Sequence, residues 1–223
     1  MKSLKNISIF SHLNEADMQA VRRAATTHVI KKNVRIFSEG DESNSMYVIQ
    51  SGGVKVFNVV DRYQYVINDL DEGCYFGEYA LLDDEKRSAS VTTTSDSIIL
   101  EIPKKAFTKP LENKMTSKLL INDLISRIRE LSIKLIDTAL LDVRTNIIRL
   151  LTNSIYSKKN GDGTFLTHDR WTHQQIADRL GKERETVSRV IRKLQKDRIY
   201  DIDKSSKCII IDSNSLPKHY IWE

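Results

Sequence analysis

Trp171-Thr172-His173-Gln174-Gln175-Ile176-Ala177-Asp178-Arg179-Leu180-Gly181-Lys182-Glu183-Arg184-Glu185-Thr186-Val187-Ser188-Arg189-Val190-Ile191-Arg192-Lys193-Leu194 is the stretch that decides how this 223-residue chain is read. It has the pattern of two helices joined by a glycine turn. A helix-turn-helix needs a small residue where its helices cross, and Ala177 supplies one. Four positions on, Gly181 can take the left-handed conformation that ends the first helix. Val187 and Val190 fall where the second helix must bury its inner face, and Thr172 is placed to cap the first helix.

Arg184, Glu185, Ser188, Arg189 and Arg192 recur at helical spacing, so one face of the second helix fits a major groove. Arginine pairs bidentately with guanine O6 and N7, and glutamate accepts from cytosine N4. Thr172, Gln174, Thr186 and Lys193 are expected at phosphates, where contacts set register without reading sequence. The opposing interpretation is a solvated helix held by its own salt bridges, and the Ala–Gly–Val–Val placement weighs against it. Beyond Leu194, residues 199–203 and 208–212 flank the polar turn Lys204-Ser205-Ser206-Lys207. They read as the hairpin of a winged helix, with both lysines near phosphates.

Charge follows the same division. Residues 1–141 carry 19 basic and 19 acidic side chains, residues 142–223 carry 16 and 11, so the whole net charge of +5 lies in the second part. A basic segment beside a neutral one is the footprint of a polyanion-binding module, although a solvated Lys/Arg face would give the same count.

Outward from there, residues 29–102 form short β-like runs such as Met46-Tyr47-Val48-Ile49 and Gly53-Val54-Lys55-Val56-Phe57, punctuated by Gly/Asp/Ser clusters. That is the pattern of a sandwich or jelly roll. The first 25 residues look helical, with Ser11 or Asn14 as N-cap. Residues 114–138 lack Pro and Gly, and Ile121, Leu124, Ile128, Leu131 and Leu135 follow the 3-4 spacing of a coiled-coil seam. This helix is expected to dimerise the chain; one amphipathic helix lying on its own barrel is the alternative. A further helix is expected from Val143 to Tyr156, then a loop at 158–163. The fold class is therefore α+β: an N-terminal jelly-roll domain over 1–141 that includes the dimerisation helix, and a C-terminal winged helix-turn-helix over 142–223.

No window approaches a membrane span, and no apolar secretory leader is visible, so a cytoplasmic location is expected. No hydrolytic triad, metal-ligand cluster or Walker loop appears, and an enzyme is not expected.

Residues 73–91 include Phe76-Gly77-Glu78-Tyr79-Ala80-Leu81 and Arg87-Ser88-Ala89-Ser90-Val91. Gly77 lets backbone approach a ligand, a short helix from Glu78 would aim amides at an anion, and Arg87 and Ser88 offer donors to a phosphate. Glu78 could accept from a ribose 2′-OH. By chemistry alone such a set is commonplace. The segment resembles, however, the phosphate-binding cassette of cyclic-nucleotide-binding domains. With Phe37-Ser38-Glu39-Gly40-Asp41, the Leu141-Asp142-Val143-Arg144 junction and Arg184-Glu185-Thr186-Val187-Ser188-Arg189, the chain is similar over about residues 7–213 to the CRP/FNR superfamily of bacterial transcription regulators, in its cAMP-responsive branch. The resemblance implies a homodimer that binds double-stranded DNA at palindromic TGTGA-like half-sites. It places Gly77, Glu78, Arg87 and Ser88 at the sugar-phosphate and Arg184, Glu185 and Arg189 at bases. The loop around 158–167 lies where the family contacts RNA polymerase.

One departure stands out. The cAMP-binding members present a Thr-Ser pair to the adenine, and here it is Leu131-Ser132. An unmade buried hydrogen bond costs roughly 1–3 kcal/mol. A cyclic nucleotide, cAMP first, is the expected effector, with another cyclic nucleotide or another effector as alternatives. A nucleotide-binding regulatory subunit of a partner protein, or a pocket that binds nothing, would fit the cassette but leave the helix-turn-helix or the cassette without a task. An iron–sulfur sensor needs about four cysteines, and the chain has two. His12, His28, His168, His173 and His219 are scattered and read as surface or structural.

Overall fold

The computed structural model describes residues 4–61, 63–83, 85–140, 142–153 and 156–216. The chain divides into two compact units, residues 1–59 with 66–129, and residues 60–65 with 130–223. The expected boundary at Leu141 falls on a residue outside those described.

Through the first unit run α1 (Glu15–Ala24), β1 (Thr26–Ile30), β2 (Arg35–Phe37), β3 (Ser45–Ser51), β4 (Gly53–Val60), β5 (Tyr63–Asp71), β6 (Tyr75–Phe76), a 3-10 turn (Glu78–Leu81), β7 (Ser90–Thr93), β8 (Ser97–Pro103), α2 (Lys104–Glu112) and the start of α3 (Lys114–Leu140). The strands form two four-stranded sheets, ordered β1-β8-β3-β6 and β2-β7-β4-β5. Ile49, Phe76 and Ile99 of one sheet and Val54, Leu70 and Val91 of the other form a single buried cluster, so the sheets pack as a sandwich. The other face of β3 and β8 carries Met46, Val48, Leu100 and Ile102, which pack with Phe10, Met18, Val21, Phe107 and Leu120 of the helical layer. Covered on both faces, these strands show near-continuous apolar runs rather than alternation.

Of the two N-cap expectations for α1, Asn14 holds: its side chain accepts from Asp17 N. Along α3, Leu120 is buried and Leu124 packs beside it, one turn on, against the core of the first unit. Ile121, Ile125, Ile128 and Leu131 stay 42–62% exposed. Leu124 thus leaves the expected seam for the core, and Ile125 takes its place in the outward row. The side chain of Leu135 lies outside those described.

The second unit contains α4 (Val143–Thr152), β9 (Ser157–Lys159), β10 (Thr164–Thr167), α5 (His173–Leu180), α6 (Arg184–Lys196), β11 (Tyr200–Ile202) and β12 (Ile209–Asp212), with one sheet ordered β11-β12-β10-β9. The helix expected to reach Tyr156 stops at Thr152. The amides of Tyr156 and Ser157 both donate back to Asn153 O, turning the chain so that 157–159 pairs with 165–167. Two strands therefore frame what sequence alone gave as loop. The core gathers Ile147, Ile148 and Leu151 of α4, Ile176 and Ala177 of α5, Val187, Ile191 and Leu194 of α6, and Ile209 and Ile211 of β12.

Candidate functional site

The helix-turn-helix is built as its residues dictate. Thr172 closes a capping box: its Oγ1 accepts from Gln175 N at 3.2 Å while its own amide donates to Gln175 Oε1 at 2.8 Å. Gly181 ends α5 at φ +59, and its neighbour Lys182 donates its amide to Ala177 O at 3.0 Å. Ala177 and Val187 are fully buried and Val190 packs against the same core. That burial turns the opposite face of α6 to solvent, where Arg184, Glu185, Arg189, Arg192 and Lys193 are exposed. Thr186 and Ser188 are half-buried, and Ser188 Oγ lies 2.8 Å from His173 Nδ1. Gln174 is exposed, its Nε2 donating to Asp178 Oδ1 at 2.7 Å.

β11 and β12 pair antiparallel, and Asp203 locks the turn between them. Its Oδ2 accepts from Ser205 Oγ at 2.6 Å and from Ser206 N and Oγ at 2.6 and 2.7 Å, hydrogen bonds that hold the carboxyl below its ordinary range. Lys204 and Lys207 are left exposed beside it.

In the first unit, the cassette is organised around a buried cation. Arg87 is 6% exposed. Its backbone is pinned to the 40–41 turn, Arg87 N donating to Asp41 O and Gly40 N to Arg87 O, both at 2.9 Å. Nη2 donates to Ser45 O at 2.8 Å and Nη1 to Gly77 O at 3.2 Å, while the guanidinium lies 4.2 Å from the Phe37 ring centre and 5.4 Å from that of Tyr47. Nε has no partner, and among the described residues no carboxylate forms an ion pair with this side chain. Burial pulls its pKa down, with Tyr47 and Glu101 acting the other way. Gly77 is left-handed at φ +71, and a Cβ there would lie 2.7 Å from Arg87 Nη1, so conformation and space both demand glycine.

Glu78 is 3% exposed and forms an ion pair through Oε1 with Arg127 Nη1 from α3. Burial pushes its carboxyl up, with Arg127 opposing. Arg127 Nη2 also donates to Tyr75 O at 3.0 Å, and one turn earlier Asp123 Oδ2 accepts from Tyr75 OH at 2.8 Å and Ser8 Oγ at 2.7 Å. Ser88 is exposed, and its carbonyl accepts from Asn58 Nδ2 at 3.1 Å. The cassette thus brings Gly77, Glu78 and the Arg87 guanidinium together, with Ser88 next to Arg87 in the chain. Leu131 and Ser132 are exposed on the part of α3 that belongs to the second unit.

Sequence reasoning missed Arg127 and Asp123, whose signal is an opposite-charge pair at i, i+4 on an otherwise apolar helix. It also missed the Phe37–Tyr47 platform. Among the described residues no helix is long and apolar enough to cross a membrane.

Two family models match the chain: a cyclic nucleotide-binding domain over residues 27–114 and a Crp-like helix-turn-helix domain over residues 147–218. Among curated relatives, the cAMP-activated global transcriptional regulator CRP of Haemophilus influenzae is 29% identical over 178 residues, covering 77% of each chain. The cAMP-dependent protein kinase regulatory subunit of Debaryomyces hansenii is 31% identical over 108 residues, 48% of this chain. That match spans 23% of the kinase subunit's own length, about a quarter. Among solved structures, the c-di-GMP responsive global regulator CLP of Xanthomonas campestris has a TM-score of 0.74 at 20% identity, covering 89% of this chain and 99% of that one.

Proposed function

From the premise that this chain belongs to the CRP/FNR superfamily of transcription regulators, we propose that it acts in the cytoplasm as a homodimer reading palindromic TGTGA-like half-sites under the control of a cyclic nucleotide, cAMP first. The observation that carries the effector reading is Arg87. A buried cation held by carbonyls, the Ser45 hydroxyl and aromatic faces, with Nε unpaired and no carboxylate ion-paired to it among the described residues, is suited to take an anion. A cyclic phosphodiester supplies that charge, and Gly77 and Ser88 border the same place. Glu78 is the residue for the ribose hydroxyl, its Oε1 being paired with Arg127.

Dimerisation is supported by the row Ile121, Ile125, Ile128 and Leu131, exposed along α3 at helical spacing where a second copy would cover it. In such a dimer two α6 helices about 34–36 Å apart meet successive major grooves. Arg184, Glu185 and Arg189 then read bases, while Thr172, Gln174, Thr186, Ser188 and Lys193 border phosphates and groove. RNA polymerase is the further partner, at the 158–167 hairpin. The effector shifts DNA affinity by the amount it prefers the DNA-competent state.

The test uses the full chain with cAMP, cGMP and c-di-GMP, by thermal shift and by gel shift on a palindromic duplex. A cAMP-dependent rise in Tm with cAMP-dependent DNA retention is expected. A response to c-di-GMP alone would replace the effector, in keeping with Leu131 standing where the hydroxyl is missing. Indifference to duplex DNA with every nucleotide present would overturn the reading.

A further inference from the structure

We infer that His173 is a residue of the DNA interface that takes up a proton when duplex DNA docks, so that one protonation per recognition helix is coupled to binding. The inference rests on the reading of α6 as the DNA-facing helix. His173 is the first residue of α5, and its Nδ1 lies 2.8 Å from Oγ of Ser188. Ser188 falls between Glu185 and Arg189 on the outward side of α6, so this hydrogen bond holds the imidazole at the edge of the same surface.

The charged surroundings are one-sided. From α6, Arg184 and Arg192 face the ring and, with burial as the larger cause, hold its pKa below 6.5. On α5 itself, Thr172 and Gln175 are spent on each other in the capping box, and Gln174 is turned to Asp178. No carboxylate contributes to the ring's shift. In the free protein burial and the two guanidiniums thus favour the neutral imidazole.

Duplex DNA changes the sign of that field. It brings one negative charge per about 1.7 Å of helix axis. Those phosphates neutralise the two guanidiniums that oppose protonation and add attraction of their own. The bound-state pKa then exceeds the free-state pKa. A group that binds its proton more tightly in the complex makes the complex tighter as pH falls through the bound-state value, and the gain levels off below the free-state value. The window runs from slightly alkaline down to mildly acidic pH, where histidine is the side chain that changes charge. A rise of one unit is tenfold per histidine, and a dimer carries two.

The experiment is fluorescence anisotropy of the full chain on a palindromic TGTGA-type duplex, with cAMP present throughout, from about pH 8 to about pH 5.5. Wild type, His173→Gln and His168→Gln are compared, and His168 is the exposed control. Glutamine keeps a hydrogen-bonding partner for Ser188, so a merely structural histidine would leave the pH profile unmoved. Wild type and His168→Gln are expected to tighten by roughly tenfold or more across the range, with a salt slope steeper by about 1–2 at the acid end. His173→Gln is expected to be flat in both. A His173→Gln profile parallel to wild type would overturn the inference. So would imidazole resonances of His173 that titrate at the same pH with and without duplex. Absence of DNA binding at every pH would overturn the DNA-reading premise with it, whereas pH-independent binding overturns this inference alone.

Discussion

The cassette buries its candidate working groups, whereas the helix-turn-helix exposes its own. In the helix-turn-helix, Arg184, Glu185 and Arg189 are exposed, and what stands behind them is apolar: Ala177, Val187, Ile191 and Leu194. In the cassette, Arg87 and Glu78 are 6% and 3% exposed, and their partners come from β2, β3 and α3. An exposed arginine is solvated and contributes little until it meets a phosphate. A buried guanidinium without an ion-paired carboxylate is held at a desolvation cost that carbonyls and ring faces offset in part and a bound anion would offset further. The difference teaches how each region is used. On the proposed reading, selectivity in the helix-turn-helix lies in which side chains point outward, whereas the cassette keeps a buried charge that a bound anion would match.

The strongest way to break the comparison is Arg87→Leu. Nucleotide affinity by calorimetry should fall more than a hundredfold, about 3 kcal/mol or more, the cost of leaving a charge partner unmet. The free protein should be no less stable, because leucine replaces an unpaired cation among Phe37 and Tyr47. A variant that binds nucleotide like wild type, or that loses several degrees of Tm without ligand, would make Arg87 a structural residue and dissolve the contrast.

The two regions also differ in how far their sequence could be read. Short-range rules sufficed for the reader: a small residue at the crossing, glycine four positions on, a threonine cap, two valines inward. Each is a constraint acting within one or two helical turns, and the structure places each as expected. The cassette's backbone was legible for the same reason, since Gly77 and the Arg87-Ser88 segment are local. Its charge balance was not. Arg127 reaches Glu78 across 49 positions and Ser45 meets Arg87 across 42, and no local period marks such a pairing. Leu124 shows the same limit in α3. A 3-4 spacing defines a stripe, but only the helical layer of α1 and α2 decides which of Leu124 and Ile125 turns inward. The strands at 157–159 and 164–167 were hidden because each is short and lies beside a Gly/Asp turn, so that tertiary pairing outweighs local propensity.

A smaller effect sharpens the reader's side. Arg189→Ala should relax discrimination at one base pair by roughly 1–3 kcal/mol, seen as converging affinities for operator and point-mutant duplexes in a competition gel shift. Lys193→Ala, one position from Arg192 and equally exposed, should instead weaken all duplexes alike and lower the salt slope by about one. If the two variants behaved identically, α6 would bind through charge alone, and the division between base-reading and phosphate-bordering residues would fail.

The smallest expected effect separates support from contact at the helix start. Thr172 Oγ1 accepts from Gln175 N at the N-terminus of α5, and Gln175 Oε1 accepts from Thr172 N in return. Thr172→Ala removes the first of these and should cost about 1 kcal/mol of stability, while Thr172→Ser, which keeps the oxygen, should restore most of it. Thermal unfolding of the three proteins measures this. DNA affinity then decides what else the residue does. If Thr172→Ala weakens DNA binding by no more than the lost cap accounts for, while Ser rescues both, the residue serves DNA only by holding α5 and His173 in place. A deficit in affinity that persists when the variants are compared far below their Tm, with a shallower salt slope, would put Thr172 itself at a phosphate.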